Sequence, residues 1–308
     1  MLDKTLDAAA ALSGRYAGSQ AYEALSDEQL LEWFVLQRQE AAFAALVRGH
    51  GPMVLAVCRR VLRHTQDAED AFQATFLVLT QKASRLRKPK LLANWLYGVA
   101  YRTALHARQR TVQRSARERE ASSMFAPENG RQVDPSELRQ LLDEELNRLP
   151  EQYRAPLVLC YLEGKTNEEA ARLLGWPSGS ISHRLARGRE LLRERLVPRV
   201  ATMSLLLSVV PLTEYLQPAA VPPMLAATTV QAATIAVVAK SAAAGAGIIS
   251  ASVRELMEAV LRDLAPAWRR WLLMALLLLL LLLGLGATIL AAGSDPPPVR
   301  SSSCHSAP

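Results

Sequence analysis

The stretch TNEEAARLLGWPSGSISHRLARGR, residues 166–189, decides the fold of its part of the chain. It predicts two helices joined by a tight turn. Thr166 is placed to cap the first helix, and Gly175 to end it, because a residue without a Cβ tolerates left-handed backbone angles. Ser180 is placed to cap the second helix. The stretch therefore predicts a helix-turn-helix unit.

The second of these helices carries polar and basic side chains opposite an apolar seam of Ile181, Leu185 and Gly188. Such a helix suits the major groove of DNA, where Arg grips guanine edges and Ser or His bonds bases or phosphates. An ordinary surface helix of a helical bundle gives the same pattern, so both interpretations stay open at this point. The candidate DNA contacts are Ser180, Ser182, His183, Arg184 and Arg187.

Charge and composition favour an anionic partner over catalysis. The 308 residues carry a net charge of +7, and residues 201–308 hold only six Lys or Arg against five Asp or Glu, so the basic surplus lies before them. A merely solubilising charge is the alternative. The three Cys form no CxxC pair, the five His are scattered, and no Gly-rich phosphate loop is present. We expect no enzyme, no metal and no cofactor.

Helical periodicity and the lack of sustained strand-like alternation predict an all-α fold. Ser26 begins the first clear helix, and Cys58 and Cys160 fall in apolar patterns that predict buried thiols. The apolar spacing over residues 253–264 predicts an amphipathic helix. The predicted order is a flexible leader over 1–25, a helical bundle over 26–110, a linker over 111–135, a helix-turn-helix domain over 136–197, an Ala-rich extension over 198–270, a transmembrane helix over 271–292 and a short external tail over 293–308.

The uncharged run Trp271–Ala292 predicts a membrane-spanning helix. A helix of this length reaches about 33 Å, enough for a hydrocarbon core of about 30 Å. Eight consecutive leucines, 276–283, leave little room for a buried helix of a soluble domain. Arg269 and Arg270 precede the run and the short tail after it has only Arg300, so residues 1–270 are expected in the cytoplasm.

A second motif adds to these observations. DAEDAFQATF (67–76), the basic loop KASRLRKPK (82–90), the helix containing NWLYGVAYR (94–102) and the helix-turn-helix occur in an order that resembles the extracytoplasmic-function (ECF) sigma factors of bacterial RNA polymerase. The resemblance covers about residues 27–197. It implies a sigma region 2-like bundle followed by a sigma region 4-like helix-turn-helix. The Ala-rich extension ending in a span resembles planctomycete-type members.

The resemblance implies a role for each matching position. The acidic helix of the first motif would bind core RNA polymerase; a solvated acidic helix start is the alternative. The loop and the following helix would melt and read the −10 promoter element, with aromatic rings stacking on bases and cations neutralising phosphates. Trp95 lies on the apolar seam, which makes Tyr97 and Tyr101 the better stacking candidates. The polymerase-binding residues would be Asp67, Glu69, Asp70 and Gln73; the −10 residues would be Lys82, Arg85, Arg87, Lys88, Lys90, Asn94, Tyr97, Tyr101, Arg102 and Arg108.

Three positions depart from the family pattern. Ala74 stands where the family usually has Glu, and Arg102 and His106 stand where the promoter helix usually has Asn and Asp. In the recognition helix, GSISHRL (179–185) replaces a string like GTVKSRL. These changes bear on the promoter sequence that is preferred, more than on the kind of partner.

The function expected from the sequence is that of an alternative sigma factor tethered to the inner membrane by a single span. Its partners would be core RNA polymerase, promoter DNA, the membrane through residues 271–292, and an anti-sigma factor as a further candidate. The alternative is a membrane-anchored helix-turn-helix regulator that acts without sigma activity. The DAED helix and the basic loop weigh against that alternative, since a simple operator binder needs neither.

Overall fold

The computed structural model describes residues 22, 24–62, 64–122, 135–199, 216–238 and 249–264, and within these ranges the regular structure is helical, without a strand. Side chains at 118–122 and 135–138 are outside the description. The helices in the described part are α1 (Asp27–Gln37), α2 (Glu40–Val61), α3 (Thr65–Lys82), α4 (Leu92–Ser122), α5 (Pro135–Arg148), α6 (Glu151–Leu157), α7 (Asn167–Leu174), α8 (Ser178–Leu196), α9 (Pro223–Val238) and α10 (Ala251–Asp263).

Helices α1 to α4 form a bundle around an aromatic core. Ser26 starts α1 with a capping box, as predicted, because its hydroxyl accepts from the Gln29 amide while the Gln29 side chain accepts from the Ser26 amide. The fully buried rings of Phe34, Phe43, Phe72 and Phe76 stack with centroids 4.5 to 6.1 Å apart. Helix α2 is long and apolar enough to cross a membrane, but it is mostly buried as the central helix of this bundle.

The last helix of the bundle is longer than the sequence predicts. Helix α4 runs to Ser122 and so enters the range predicted as a linker from residue 111. Residues 111–122 contain Arg, Glu, Gln and Ala but no Gly or Pro, so helix propensity alone favours continuation. Thr111 also anchors this part, donating from its hydroxyl to Asp67 Oδ2 at 3.1 Å. The end of α4 was predicted too early because the prediction followed the apolar stripe, which an exposed helix does not need.

Helices α5 to α8 form the second helical group. One π-helical turn, Val158–Leu162, follows α6 directly. Gly188 of α8 lies so close to α6 that a Cβ there would be 3.0 Å from Leu157 Cδ1. Glycine therefore lets these two helices approach each other.

The extension contributes two described helices, α9 and α10. The amphipathic helix expected at 253–264 is confirmed, because α10 buries Val253, Leu256, Met257 and Val260. Helix α9 was not predicted; it is uncharged and packs against α2 and α3. The predicted span 271–292, the whole predicted tail 293–308 and residues 1–21 of the predicted leader 1–25 lie outside the described residues.

Candidate nucleic-acid and protein interfaces

The turn between α7 and α8 is built as the sequence predicts. Thr166 caps α7: its hydroxyl accepts from the Glu169 amide at 3.2 Å, and Glu169 Oε2 accepts from the Thr166 amide at 2.8 Å. The Thr166 amide, and after it the Thr166 hydroxyl at 3.0 Å, donate to the Glu169 carboxylate and lower its pKa, because they favour its charged form. Gly175 ends α7 with φ 68°, the left-handed conformation that was expected.

Ser180 does not cap α8, and that prediction is wrong. The helix begins two residues earlier, at Ser178, with Pro177 in the capping position. Ser180 instead lies in the first turn and donates from its hydroxyl to the Pro177 carbonyl at 2.8 Å. Proline presets the backbone for a helix start, so the chain turns helical before the serine that the pattern favoured.

The apolar seam of α8 is confirmed, and the opposite face presents the polar residues. Ile181, Leu185 and Gly188 are buried. Ser182, His183 and Arg187 are exposed. Arg187 makes an ion pair of 3.3 Å with Glu194, both half-exposed, and an ion pair of this kind contributes little to stability. These three side chains are therefore accessible to a nucleic-acid ligand.

Arg184 is held differently from its neighbours on α8. Its guanidinium carbon lies 4.3 Å from the Trp176 ring centroid, and its Nη1 donates to Gln152 Oε1 at 3.4 Å. The side chain is half-buried. A cation over an aromatic ring is stabilised by the ring quadrupole, so Arg184 fixes the turn as well as facing the predicted groove side.

The basic loop between α3 and α4 is exposed. Two short 3-10 turns, Ala83–Arg85 and Pro89–Leu91, shape it. Lys88 lies 3.7 Å from Glu151 of α6, and both side chains are largely in solvent. The exposed cations of this loop are Arg85, Arg87, Lys88 and Lys90, with Lys82 half-buried. Their spacing supplies the positive surface that phosphate binding needs.

The structure corrects the choice of stacking aromatics on α4. Tyr97 is fully buried and donates from its hydroxyl to Asp143 Oδ1 at 3.2 Å. Tyr101 is 8% exposed, and burial followed by the nearby carboxylates of Glu144 and Asp143 raises its pKa to about 12. In this conformation neither ring can stack on a base. Trp95, which the apolar seam assigned to the core, is half-buried.

The remaining −10 candidates on α4 differ in exposure. Both polar atoms of the Asn94 amide are out of solvent and have no hydrogen-bond partner within the described ranges. A buried amide without partners is costly, and an Asn side chain can pair with an adenine edge. Arg102 is half-buried, and Arg108 is exposed with its Nη1 3.2 Å from Gln140 Oε1.

Tyr97 is buried because it belongs to a charged cluster between α2, α4 and α5. Arg60 makes a bidentate ion pair with Asp143, at 2.6 Å from Nε and 3.0 Å from Nη2. Burial raises the pKa of Tyr97, since the phenolate would be desolvated beside Asp143. Asp143 lies in the second helical group, so no local pattern around Tyr97 shows this contact.

A second ionic contact joins the same two groups of helices. His50 of α2 lies between Asp27, 3.1 Å from its Nε2, and Glu163, 3.1 Å from its Nδ1. Burial lowers the histidine pKa, but the two carboxylates outweigh it and raise the pKa to about 10. The imidazole is therefore charged at neutral pH. Sequence reasoning singled out none of these three residues.

The predicted polymerase-binding residues lie together on α3 and are half-buried. Asp67 accepts from Thr111. Asp70 accepts from Ser252 of α10, and Gln73 Nε2 donates to Thr228 Oγ1 of α9 at 3.2 Å. The contacts from α9 and α10 were not predicted, because the apolar run that forms α9 gives no sign of what it packs on. Glu69 belongs to the same helix, next to this face.

No group of three His, Cys, Asp or Glu side chains that could hold a metal is found in the part of the chain that is described. Cys58 is buried, as predicted, and burial raises its pKa to about 12. Cys160 is only partly buried, because it lies on the outer side of the π-helical turn.

Two family profiles match the chain: sigma-70 region 2 over residues 46–114 and sigma-70 region 4 over residues 139–192. Among similar proteins, RNA polymerase sigma factor CarQ of Myxococcus xanthus is 33% identical over 159 residues, which is 50% of this chain and 89% of that protein. RNA polymerase sigma-H factor of Pseudomonas aeruginosa is 28% identical over 56% of this chain and 94% of its own length.

The ECF RNA polymerase sigma-E factor of Haemophilus influenzae is 26% identical over 57% of this chain and 98% of its own length. Among solved structures, a complex of the sigma factor RpoE with the anti-sigma factor NepR from Bartonella quintana covers 49% of this chain and 94% of that chain, with 22% identity and a TM-score of 0.24.

Proposed function

The chain belongs to the ECF sigma factors of the sigma-70 family, and from that membership we propose how its individual surfaces work. Helix α8 reads the −35 duplex through Ser182, His183 and Arg187. The basic loop and α4 bind the −10 element, with Trp95 as a base contact and Asn94 as a second one after DNA binding exposes its amide. The α3 face containing Asp67, Asp70 and Gln73 binds core polymerase. A C-terminal span tethers the protein to the inner membrane, as in planctomycete-type members.

The observation that carries the DNA assignment is the division of α8 into a buried seam and an exposed polar face. Ile181 and Leu185 fix the helix against its own domain, and on its other side Ser182, His183 and Arg187 stay exposed, although the Asn167 amide donates to the Ser182 hydroxyl at 3.2 Å. Arg187 supplies a charge for phosphate or guanine, and Ser182 and His183 supply hydrogen bonds to base edges. The face is one helix wide, which is what the major groove admits.

Run-off transcription tests this proposal. The full chain, purified in detergent, is combined with bacterial core polymerase and a promoter template selected from random sequence. Specific initiation is expected, and it should fall at least about tenfold when Ser182, His183 and Arg187 are all changed to Ala, because each good base contact contributes roughly 1–3 kcal/mol. DNA binding without initiation would favour the regulator alternative.

The tether rests on the sequence 271–292 and its flanking arginines. Removal of residues 266–308 should move the protein from the membrane to the soluble fraction, and unchanged membrane fractionation would refute the tether. We further propose an anti-sigma factor as a partner of the region 2 and region 4 surfaces. Purification of the chain from cells in which it is present but does not direct transcription tests this proposal, because the anti-sigma factor should co-purify with it.

A further inference from the structure

Helix α9 lies on the bundle as a separate, uncharged piece. Its residues 223–238 contain no Asp, Glu, Lys or Arg, and it buries Leu225, Thr229 and Ala233, one residue per helical turn, against α2 and α3. The chain entering it is seated as well: the Ala219 amide donates to the Pro52 carbonyl at 3.0 Å, and a Cβ on Gly51 would be 3.1 Å from a Val221 methyl. The extension therefore fits the surface of α2 and α3 closely.

The burial of residues along α3 shows which part of that helix α9 covers. Residues 74–79 are all buried, six in succession, so α3 is covered on every side along this stretch. Phe72 and Phe76 face the bundle core. Ala74 is fully buried and shares a helix face with Asp70, four residues before it. Helix α9 covers part of α3 that the four-helix bundle leaves open.

At the edge of the surface that α9 covers, the polar contacts involve the proposed polymerase-binding residues themselves. Thr228 of α9 accepts from Gln73, and Ser252 of α10 donates to Asp70. Glu255 of α10 pairs with Arg110 of α4. An Asp70 or Gln73 side chain engaged by the extension is unavailable to another protein.

The extension is additional to the family fold. The two matched regions end at residue 192, and similar sigma factors are matched over nearly their whole length by about half of this chain. Those proteins complete the fold without a counterpart of α9 and α10 in the matched part. The contact of α9 with α3 is therefore not required for the fold of region 2.

From this geometry we infer that α9 and α10 act as an internal competitor of core polymerase: they occupy the polymerase-binding face of α3, and the polymerase must displace them to bind. The inference rests on the proposed role of that face. The apparent affinity is then the intrinsic affinity reduced by the fraction of molecules in which the face is open. Helix α9 carries no charge, so the ion pair broken on its displacement with α10 is the exposed one between Glu255 and Arg110.

Fluorescence anisotropy of the labelled full chain in detergent, titrated with core polymerase, tests the inference. Ala233→Glu places a carboxylate at a position that is 0% exposed, and should release α9. Gln231→Glu makes the same charge change at an exposed position of the same helix and is the matched control. We expect Ala233→Glu to bind polymerase about tenfold more tightly or better than the wild type, and Gln231→Glu to bind as the wild type does.

Hydrogen exchange of α9 and α3 in the free chain shows whether α9 has been released. Release without a gain in affinity overturns the inference and leaves the polymerase-binding proposal intact. Absence of binding in every variant, released or not, overturns both.

A locked variant covers the case in which Ala233→Glu misfolds or leaves α9 in place. Gly51→Cys combined with Val221→Cys should form a disulfide that holds the start of α9 on the bundle, because a Cβ on Gly51 would be 3.1 Å from Val221 Cγ2 and neither residue belongs to the proposed polymerase-binding face. Binding should be lost in the oxidised protein and return with reductant, while each single Cys variant binds equally in both conditions. Equal binding by the oxidised and reduced double variant would overturn the inference.

Discussion

Two clusters of polar residues in this protein use similar side chains in opposite surroundings. Between α2, α4 and α5, Arg60, Tyr97 and Asp143 are buried and bonded to one another. On α8, Ser182, His183 and Arg187 are exposed. Side-chain chemistry alone does not separate the two sets. Burial does, because a buried polar group must satisfy itself within the protein while an exposed one can exchange water for a ligand.

The buried set is also the one that joins the two helical groups. The Arg60–Asp143 and His50–Glu163 pairs each link the first bundle to the second group of helices. This difference predicts that the buried residues determine the stability of the fold and that the exposed residues of α8 determine DNA binding. Four comparisons test that division, in order of decreasing effect on the free energy of unfolding.

Asp143→Ala should be the most damaging change. It leaves the buried Arg60 guanidinium without its counter-ion, and breaking a buried pair in this way costs about 3–5 kcal/mol. Denaturant unfolding of the full chain followed by circular dichroism measures the loss. Glu151→Ala, which removes the exposed pair with Lys88, is the control and should cost less than about 0.5 kcal/mol. Equal losses in the two variants would remove the distinction drawn between the clusters.

His50 should make stability fall as the pH rises. Its folded pKa, about 10, lies above the ordinary value of 6.5, so its contribution is full below pH 6.5 and is lost as the pH rises through 10. We expect the wild type to lose roughly 2 kcal/mol or more relative to His50→Gln over that window. Unfolding curves at a series of pH values measure this. Parallel pH profiles for the two proteins would show that the histidine is not held charged by Asp27 and Glu163.

Thr166→Ala should cost about 1 kcal/mol, because it removes the capping box of α7. Ser180→Ala is the matched comparison: Ser180 lies inside the first turn of α8 and caps nothing, so its loss should cost only a few tenths of a kcal/mol. Thermal unfolding of both variants checks the order. A larger effect at Ser180 would mean that α8 starts where the sequence pattern placed it.

The triple change of Ser182, His183 and Arg187 to Ala should leave stability within about 0.5 kcal/mol of the wild type, since all three are exposed. Binding to promoter duplex, followed by mobility shift at fixed salt, should nevertheless be lost. A stability loss as large as that of Thr166→Ala would place these residues in the structural set.

The contrast between Tyr97 and Trp95 shows where sequence reasoning failed. Both were placed by the helical period of α4, which correctly orders residues around the axis but does not say which side a second domain covers. Asp143, far along the chain, covers Tyr97 completely, and Trp95 is only half-buried. The length of α4 failed for a related reason, because helix propensity continued where the apolar pattern stopped.

The sequence by itself determined the helical character of the described chain, the helix-turn-helix with its Thr166 cap and Gly175 turn, the buried seam of α8, and the family to which the chain belongs. These depend on local periodicity, capping and backbone sterics, which act within a few residues. Only the tertiary structure decided that Arg60 pairs with Asp143, that His50 lies between two carboxylates, and that α9 covers α3. Those contacts join residues distant in sequence, and their energies come from burial, which no local pattern encodes.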